Sequence, residues 1–127
     1  MARSDTPDPD ATGVNLSVLS GACSAAPEIR VLESGSRLAT FALRCPASDG
    51  RATSVPVTAW DPPAWLETVA AGDLLIVVGR LRRRFYQQPG GVRSRVDVEA
   101  ELVGRCRDRR RIDAALRRAH AALEVLE

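Results

Sequence analysis

The 127-residue chain has no lysine, a single histidine and few aromatics: two Trp, one Tyr and two Phe. Each scarcity excludes something. His120 alone offers no Ser-His-Asp arrangement. There is also no glycine-rich phosphate loop and no pair of carboxylates on an apolar strand, so an enzyme is not expected. Three cysteines, Cys23, Cys45 and Cys106, form no C-x-x-C pair. That leaves no zinc ligand set and points to reduced thiols in a cytosolic protein. The longest apolar run, Leu74 to Val78, falls far short of the ~18 residues of a membrane span. The first thirty residues lack a basic start followed by an apolar stretch, so no signal peptide is expected. No cofactor, metal, membrane or small-molecule substrate is implied.

What is present is arginine, unevenly spread. All eighteen basic residues are Arg. Residues 1–79 hold five arginines against nine acids, a balance of −4, whereas residues 80–127 hold thirteen against seven, a balance of +6. A basic second half predicts an anionic partner. The length leaves room for one domain with flanking segments.

Residues 1–13 read as a flexible arm, rich in Pro and Asp. Val14 to Leu19 alternates like a half-buried strand, and Ser20 to Pro27 reads as a connection. Glu28 to Glu33 fits a short strand before the Ser34-Gly35-Ser36 turn. Arg37 to Cys45 is a strand with Ala39, Phe41, Leu43 and Cys45 on one face and Leu38, Thr40, Ala42 and Arg44 on the other. Arg51 to Trp60 follows, with Pro56 demanding a free edge or a bulge. Asp61-Pro62-Pro63 predicts a helix to about Ala71, closed by Gly72. Asp73 to Gln87 is a long strand, Gln88 to Gly91 a hairpin turn, and Val92 to Val103 a strict alternation. Arg107 to Leu126 carries Ile112, Leu116, Ala119, Leu123 and Leu126 at helical spacing. The order predicts an all-β domain over 14–104: a five-stranded OB-fold barrel, with a helix between strands 3 and 4. A C-terminal Arg-rich α-helix follows over 105–127.

The chemistry concentrates in Gly79 to Tyr86, G-R-L-R-R-R-F-Y. Alternation puts Arg80, Arg82, Arg84 and Tyr86 on one face, with Leu81 on the core side. Same-face Cα atoms lie roughly 6.5–7 Å apart, close to the phosphate spacing of an extended single strand. Guanidinia on phosphates and an aromatic under a base would bind single strands without sequence preference. A solvated face of an edge strand is the alternative. Trp60, opposite the apolar set Val55, Val57 and Ala59, either packs beneath the helix that follows or stacks a second base. Arg93 and Arg95 extend the patch, and Asp97, Glu99 and Glu101 are expected to end it. Phe41 and Trp65 sit in apolar sets and are expected in the core. The terminal helix either packs on the barrel or associates subunits.

The segments N-L-S-V-L-S-G (15–21), A-P-E-I-R (26–30) and G-S-R-L-A-T-F-A-L (35–43) together resemble the bacterial single-stranded DNA-binding proteins. So do V-P-V-T-A-W (55–60) and G-D-L-L-I-V-V-G-R-L-R-R-R-F-Y (72–86). The resemblance covers about residues 14–103. It implies a homotetramer of OB-folds binding single-stranded DNA in replication, repair or recombination, in the cytoplasm at the nucleoid. It also implies stacking at Trp60 and Tyr86. Three departures stand out. Ser54 falls near a position where the family often carries an aromatic, the Pro46 to Gly50 loop is short, and no acidic tip follows. They suggest a divergent paralogue or a mobile-element version. The expected DNA contacts are Trp60, Arg80, Arg82, Arg84, Tyr86, Arg93 and Arg95. Two other functions remain open: an assembly module that has lost DNA binding, and RNA binding through the same face.

Overall fold

The computed structural model describes residues 8–126. The first seven residues of the arm expected over 1–13, and Glu127 at the other end, lie outside that range. Five strands close a barrel: β1 (Ser17–Cys23), β3 (Arg37–Pro46), β4 (Ala52–Trp60), β5 (Leu74–Gln88) and β6 (Gly91–Arg105). The order is β1-β5-β6-β4-β3, and β3 returns to β1 through Ala22↔Arg44 and Cys23↔Leu43. A short strand, β2 (Glu28–Val31), lies along the outer edge of β3. All pairings are antiparallel except a two-residue parallel contact between β4 and β6, Val57↔Val98 and Thr58↔Glu99. This is the expected OB-fold barrel.

The core follows strand parity. Ala39, Phe41, Leu43 and Cys45 point inward from β3, and they meet Val57 and Ala59, Leu75 and Val77, and Val98. Each large aliphatic side chain removed from water contributes about 1.5–3 kcal/mol. Trp65 packs half-buried against this cluster, with the Arg105 guanidinium 5.1 Å from its ring centroid. Leu74 is exposed, whereas from Leu75 to Val78 the apolar run at the start of β5 is buried on both faces. Its outward residues, Ile76 and Val78, are covered by helix α1 (Arg109–Leu123) through Ile112 and Ala115. Asp108 caps that helix, its carboxylate accepting from the backbone N–H groups of Arg110 and Arg111. The helix is shorter than expected at both ends, and Glu124–Leu126 continue it as a 3-10 turn.

Three local expectations are corrected. β1 begins at Ser17 rather than Val14, and it runs on through the small residues to Cys23. Asn15 is used otherwise: its side-chain amide donates to the Leu81 carbonyl at 2.8 Å and accepts from the Leu81 N–H at 2.9 Å. The extension toward Cys23 needs Gly21, where a Cβ would stand 2.3 Å from the Arg44 carbonyl oxygen.

The helix expected over 62–71 is only a five-residue 3-10 turn, Ala64–Thr68. Pro63 holds Pro62 out of helical geometry and is itself extended, at φ −62° and ψ 149°. Asp61 sits at φ +48° and does not cap. The Ala70 N–H goes instead to the Asp73 carboxylate at 3.0 Å.

The third correction is a bulge. Val78 pairs with Leu102 but Gly79 pairs with Ala100, so Glu101 is an extra residue in β6. Parity flips there. Val103 turns into the core, and Leu102 turns outward beneath α1. A Cβ at Gly79 would lie 2.1 Å from the Glu99 carbonyl oxygen.

Two outcomes are expected. Gly79→Ala lowers stability by about 1–3 kcal/mol, the usual cost of forcing extra volume into a packed site, read from urea midpoints. Asp73 gives a pH dependence. The Ala70 N–H, and then the Arg105 and Arg107 charges, hold its carboxyl below the usual carboxylate range. Its stabilising contribution is present above the unfolded pKa and is lost as pH falls through the lower folded value. Thermal melts should therefore show Asp73→Asn less stable than the parent at pH 6, with the two converging below about pH 4.

Candidate nucleic-acid interface

Beyond the bulge, β5 and β6 leave the barrel as a two-stranded arm. Its register is continuous from Arg80↔Glu99 to Gln88↔Gly91. Pro89 and Gly90 turn it, the fixed φ of one and the φ of +95° of the other matching a type II turn. Arg80, Arg82, Arg84 and Tyr86 do share one face, as alternation requires.

The acids do not lie beyond that row, as the sequence had suggested. They lie beside it. Arg82 contacts Glu99 at 2.5 Å, Arg80 contacts Glu101 at 3.2 Å, and Arg84 contacts Asp97 at 2.7 Å. Arg118 of α1 reaches the same Glu101 at 2.9 Å. The arginine row is thus neutralised from within, strand against strand. Exposed pairs of this kind contribute about 0–1 kcal/mol each.

One pair differs. Asp97 is only 3% exposed, and its Oδ2 also accepts from the Thr58 hydroxyl of β4 at 2.8 Å. Its Oδ1 and the Nη2 of Arg84 have no hydrogen-bond partner among the described residues. Arg84, Asp97 and Thr58 therefore knot three strands together where the arm departs.

Arg84 and Arg95 are directly opposite across the arm, as are Tyr86 and Arg93. Arg93 and Arg95 are exposed and make no ion pair among the described residues, and the same holds for Arg44 on the outward face of β3. Arg95 lines a groove of about 360 Å³ over β3 and β4. Its floor is Thr40, Ala42, Pro56 and Thr58, and its far wall is the Ser24–Ala26 loop together with the acidic Glu28.

Trp60 and Tyr86, both near 40% exposed, are not neighbours. Trp60 borders a depression with Pro62, Glu101 and Arg111, at the α1 end of the face. Tyr86 lies out on the arm. The strand register separates them by about eight residues of β6, roughly 25 Å. Leu81, expected on the core side, keeps inward parity but is 53% exposed, although Val98 opposite it is buried in the core.

The sequence reading missed the groove itself. Its signal was present in the outward set Thr40, Ala42 and Arg44, which had no apolar reason to alternate. Of the arginines around the start of α1, two are structural: Arg105 bonds Thr68 at 2.7 Å, and Arg111 donates to the Val103 carbonyl at 2.6 Å.

A groove over the second and third barrel strands, between the loop after the first strand and the hairpin joining the last two, is where OB-folds hold oligonucleotides. Residues 14–106 match the pattern of the Single-strand binding protein family. The chain belongs to that family. The fold is similar to that of a solved deletion mutant of the single-stranded DNA binding protein from Thermus aquaticus, with a TM-score of 0.62 and 25% identity. The match covers 80% of this chain and 45% of that one, so the chain spans less than half the length of that protein. No curated protein sequence matches it. In this single-strand binding protein family member, no group of three or more metal-ligating side chains occurs among the described residues, and no described helix is long and apolar enough to cross a membrane.

The knot should be measurable. Asp97 is the shared acceptor of the Thr58 hydroxyl and the Arg84 guanidinium, while Arg84 keeps Glu99 at 3.8 Å. A hydrogen bond to a charged group contributes about 1.5–3 kcal/mol. Asp97→Ala should therefore cost about that much in urea unfolding. Glu99→Ala, which removes a half-exposed partner, should cost about 1 kcal/mol or less.

Proposed function

We propose that the protein binds single-stranded DNA without reading its sequence, as a binder rather than an enzyme. The supporting observation is the groove over β3 and β4, which joins unpaired guanidinia to a floor of small and hydroxyl side chains. Arg95 stands at its edge and Arg44 and Arg93 flank it; each offers a charge that no carboxylate of the described chain consumes. Trp60 and Tyr86 supply stacking at the two ends of the outward face. Arg80, Arg82 and Arg84 keep a smaller role, because each must first release its own acid. Family membership and the name of the Thermus protein support the same ligand. A role in replication, repair or recombination, a location at the nucleoid in the cytoplasm, and assembly as a homo-oligomer complete the reading.

The self-neutralised row favours a second reading, in which the barrel has lost most DNA binding and serves as an assembly module. Titration of oligo-dT of graded length, followed by tryptophan fluorescence and read with solution mass, separates the two. The first reading expects quenching of Trp60 and affinity that falls with salt. About 0.7 of a counterion is released per phosphate neutralised on a single strand. Three free arginines thus give a log–log slope near −2, and six engaged arginines one near −4. Arg95→Glu should weaken binding at least tenfold, whereas Arg82→Ala should change it less than about threefold. Absence of both quenching and gel shift at low salt, with the oligomer intact, would establish the assembly reading. Tighter binding to oligo-U than to oligo-dT would move the ligand to RNA.

A further inference from the structure

The arm has two faces, and only one carries the acids. Its inward-parity face bears Leu81, Arg83 and Phe85 from β5 and Val92, Ser94 and Val96 from β6. Inside the barrel this parity builds the core. Past the bulge, Val98 is the last side chain of this parity to reach the core. Phe85 is 70% exposed, Val92 59%, Leu81 53% and Val96 41%. No carboxylate stands on this face. Arg83 is the one arginine of β5 without an acid partner among the described residues; its Nη1 donates to the Ser94 hydroxyl at 3.0 Å. That bond holds the guanidinium across the ribbon while leaving its charge uncompensated. The Asn15 side chain clamps the root of the same strand through both backbone groups of Leu81.

We infer that this face of the arm is a second contact surface for single-stranded DNA, with the Phe85 ring stacking a base and Arg83 beside it on a phosphate. The inference rests on the function proposed above and adds to it Phe85 and Arg83, which share the parity of Leu81. Charge favours this occupant. An exposed aromatic, a fixed cation with no competing acid and an apolar surround are what a base and its phosphate need. On the opposite face, Arg80, Arg82 and Arg84 already hold carboxylates. A strand leaving the groove past Arg95 therefore gains more on the Phe85 side of the ribbon than on the Arg82 side.

The test uses the full chain and fluorescein-labelled oligo-dT of graded length. Phe85→Ala should weaken binding about 5- to 150-fold, the equivalent of one stacked base. The loss should be confined to oligonucleotides long enough to leave the groove and reach the arm. Phe85→Leu keeps apolar area without the ring and should show most of the same loss, whereas Phe85→Trp should restore binding. The side chain is too exposed for these variants to disturb folding, and unchanged thermal melts would confirm it. Parent-like affinity of Phe85→Ala at every length overturns the inference while leaving DNA binding in place. So does full activity of Phe85→Leu. A change of solution mass without a change of affinity would make the face a contact between copies and overturn it as well. If the parent binds no oligo-dT at all, it is the underlying function that fails.

Discussion

The Thr58–Asp97–Arg84 knot is the constraint from which the exposed surface takes its form. β4 and β6 touch in parallel for only two residues, Val57↔Val98 and Thr58↔Glu99. That short contact closes the barrel, and immediately beyond it the β5–β6 ribbon separates from β4. A buried carboxylate at the parting point, bonded to a hydroxyl on one side and a guanidinium on the other, fixes the direction in which the ribbon leaves. Apolar residues could fill that space as well or better. They would not couple three strands in one orientation, and the groove over β3 and β4 exists only because the ribbon stands away from them.

The same alternation that builds the ribbon decides its electrostatics. β5 presents arginine at every second position, and β6 presents an acid at every second position over the matching stretch. Antiparallel pairing puts them side by side, so a row that is strongly basic when counted along the chain is nearly neutral in space. Net charge by segment was therefore a poor guide to where an anion would bind. What remains available is what the pairing leaves over: Arg93 and Arg95 past the last acid, Arg44 on the neighbouring strand, and Arg83 on the opposite side of the ribbon. Charge density on this protein is set by register, which composition does not contain.

Much of the fold was legible because most strands alternate cleanly. β3, β4 and the hairpin of β5 and β6 are found where period-two patterning and the Gln88 to Gly91 turn place them. Two of the failures, at Asn15 and at Glu101, are sites where a tertiary contact outranked a local pattern; the others have local or missing partners. Asn15 interrupts an alternating run because its side chain acts as a strand partner for Leu81. The Pro62-Pro63 pair reads as a helix start but holds the chain extended for one residue too many. Glu101 bulges because Gly79 lets the two backbones close to a distance that no Cβ permits, and this reverses Leu102 and Val103. Leu81 and Phe85 follow core parity faithfully, yet parity specifies a side and not whether a core lies there.

Helix α1 shows why the outward face divides as it does. It lies across β5 and β6 at the end of the barrel away from the arm, where Gly104 brings the strand against Arg111 of the helix. It covers Ile76, Val78 and Leu102, and through Arg118 it engages Glu101 at the bulge. The helix thereby takes the apolar half of the outward face out of solvent and leaves the polar half open. Trp60 sits on that boundary, with the depression beside it walled by Arg111 on one side and Pro62 on the other. The helix beneath which one reading placed its indole is only the Ala64–Thr68 turn, and the residue is 39% exposed. A ligand following the open half would begin at this ring and cross the groove floor toward Arg95. It would then meet the ribbon, whose two faces offer opposite electrostatic terms.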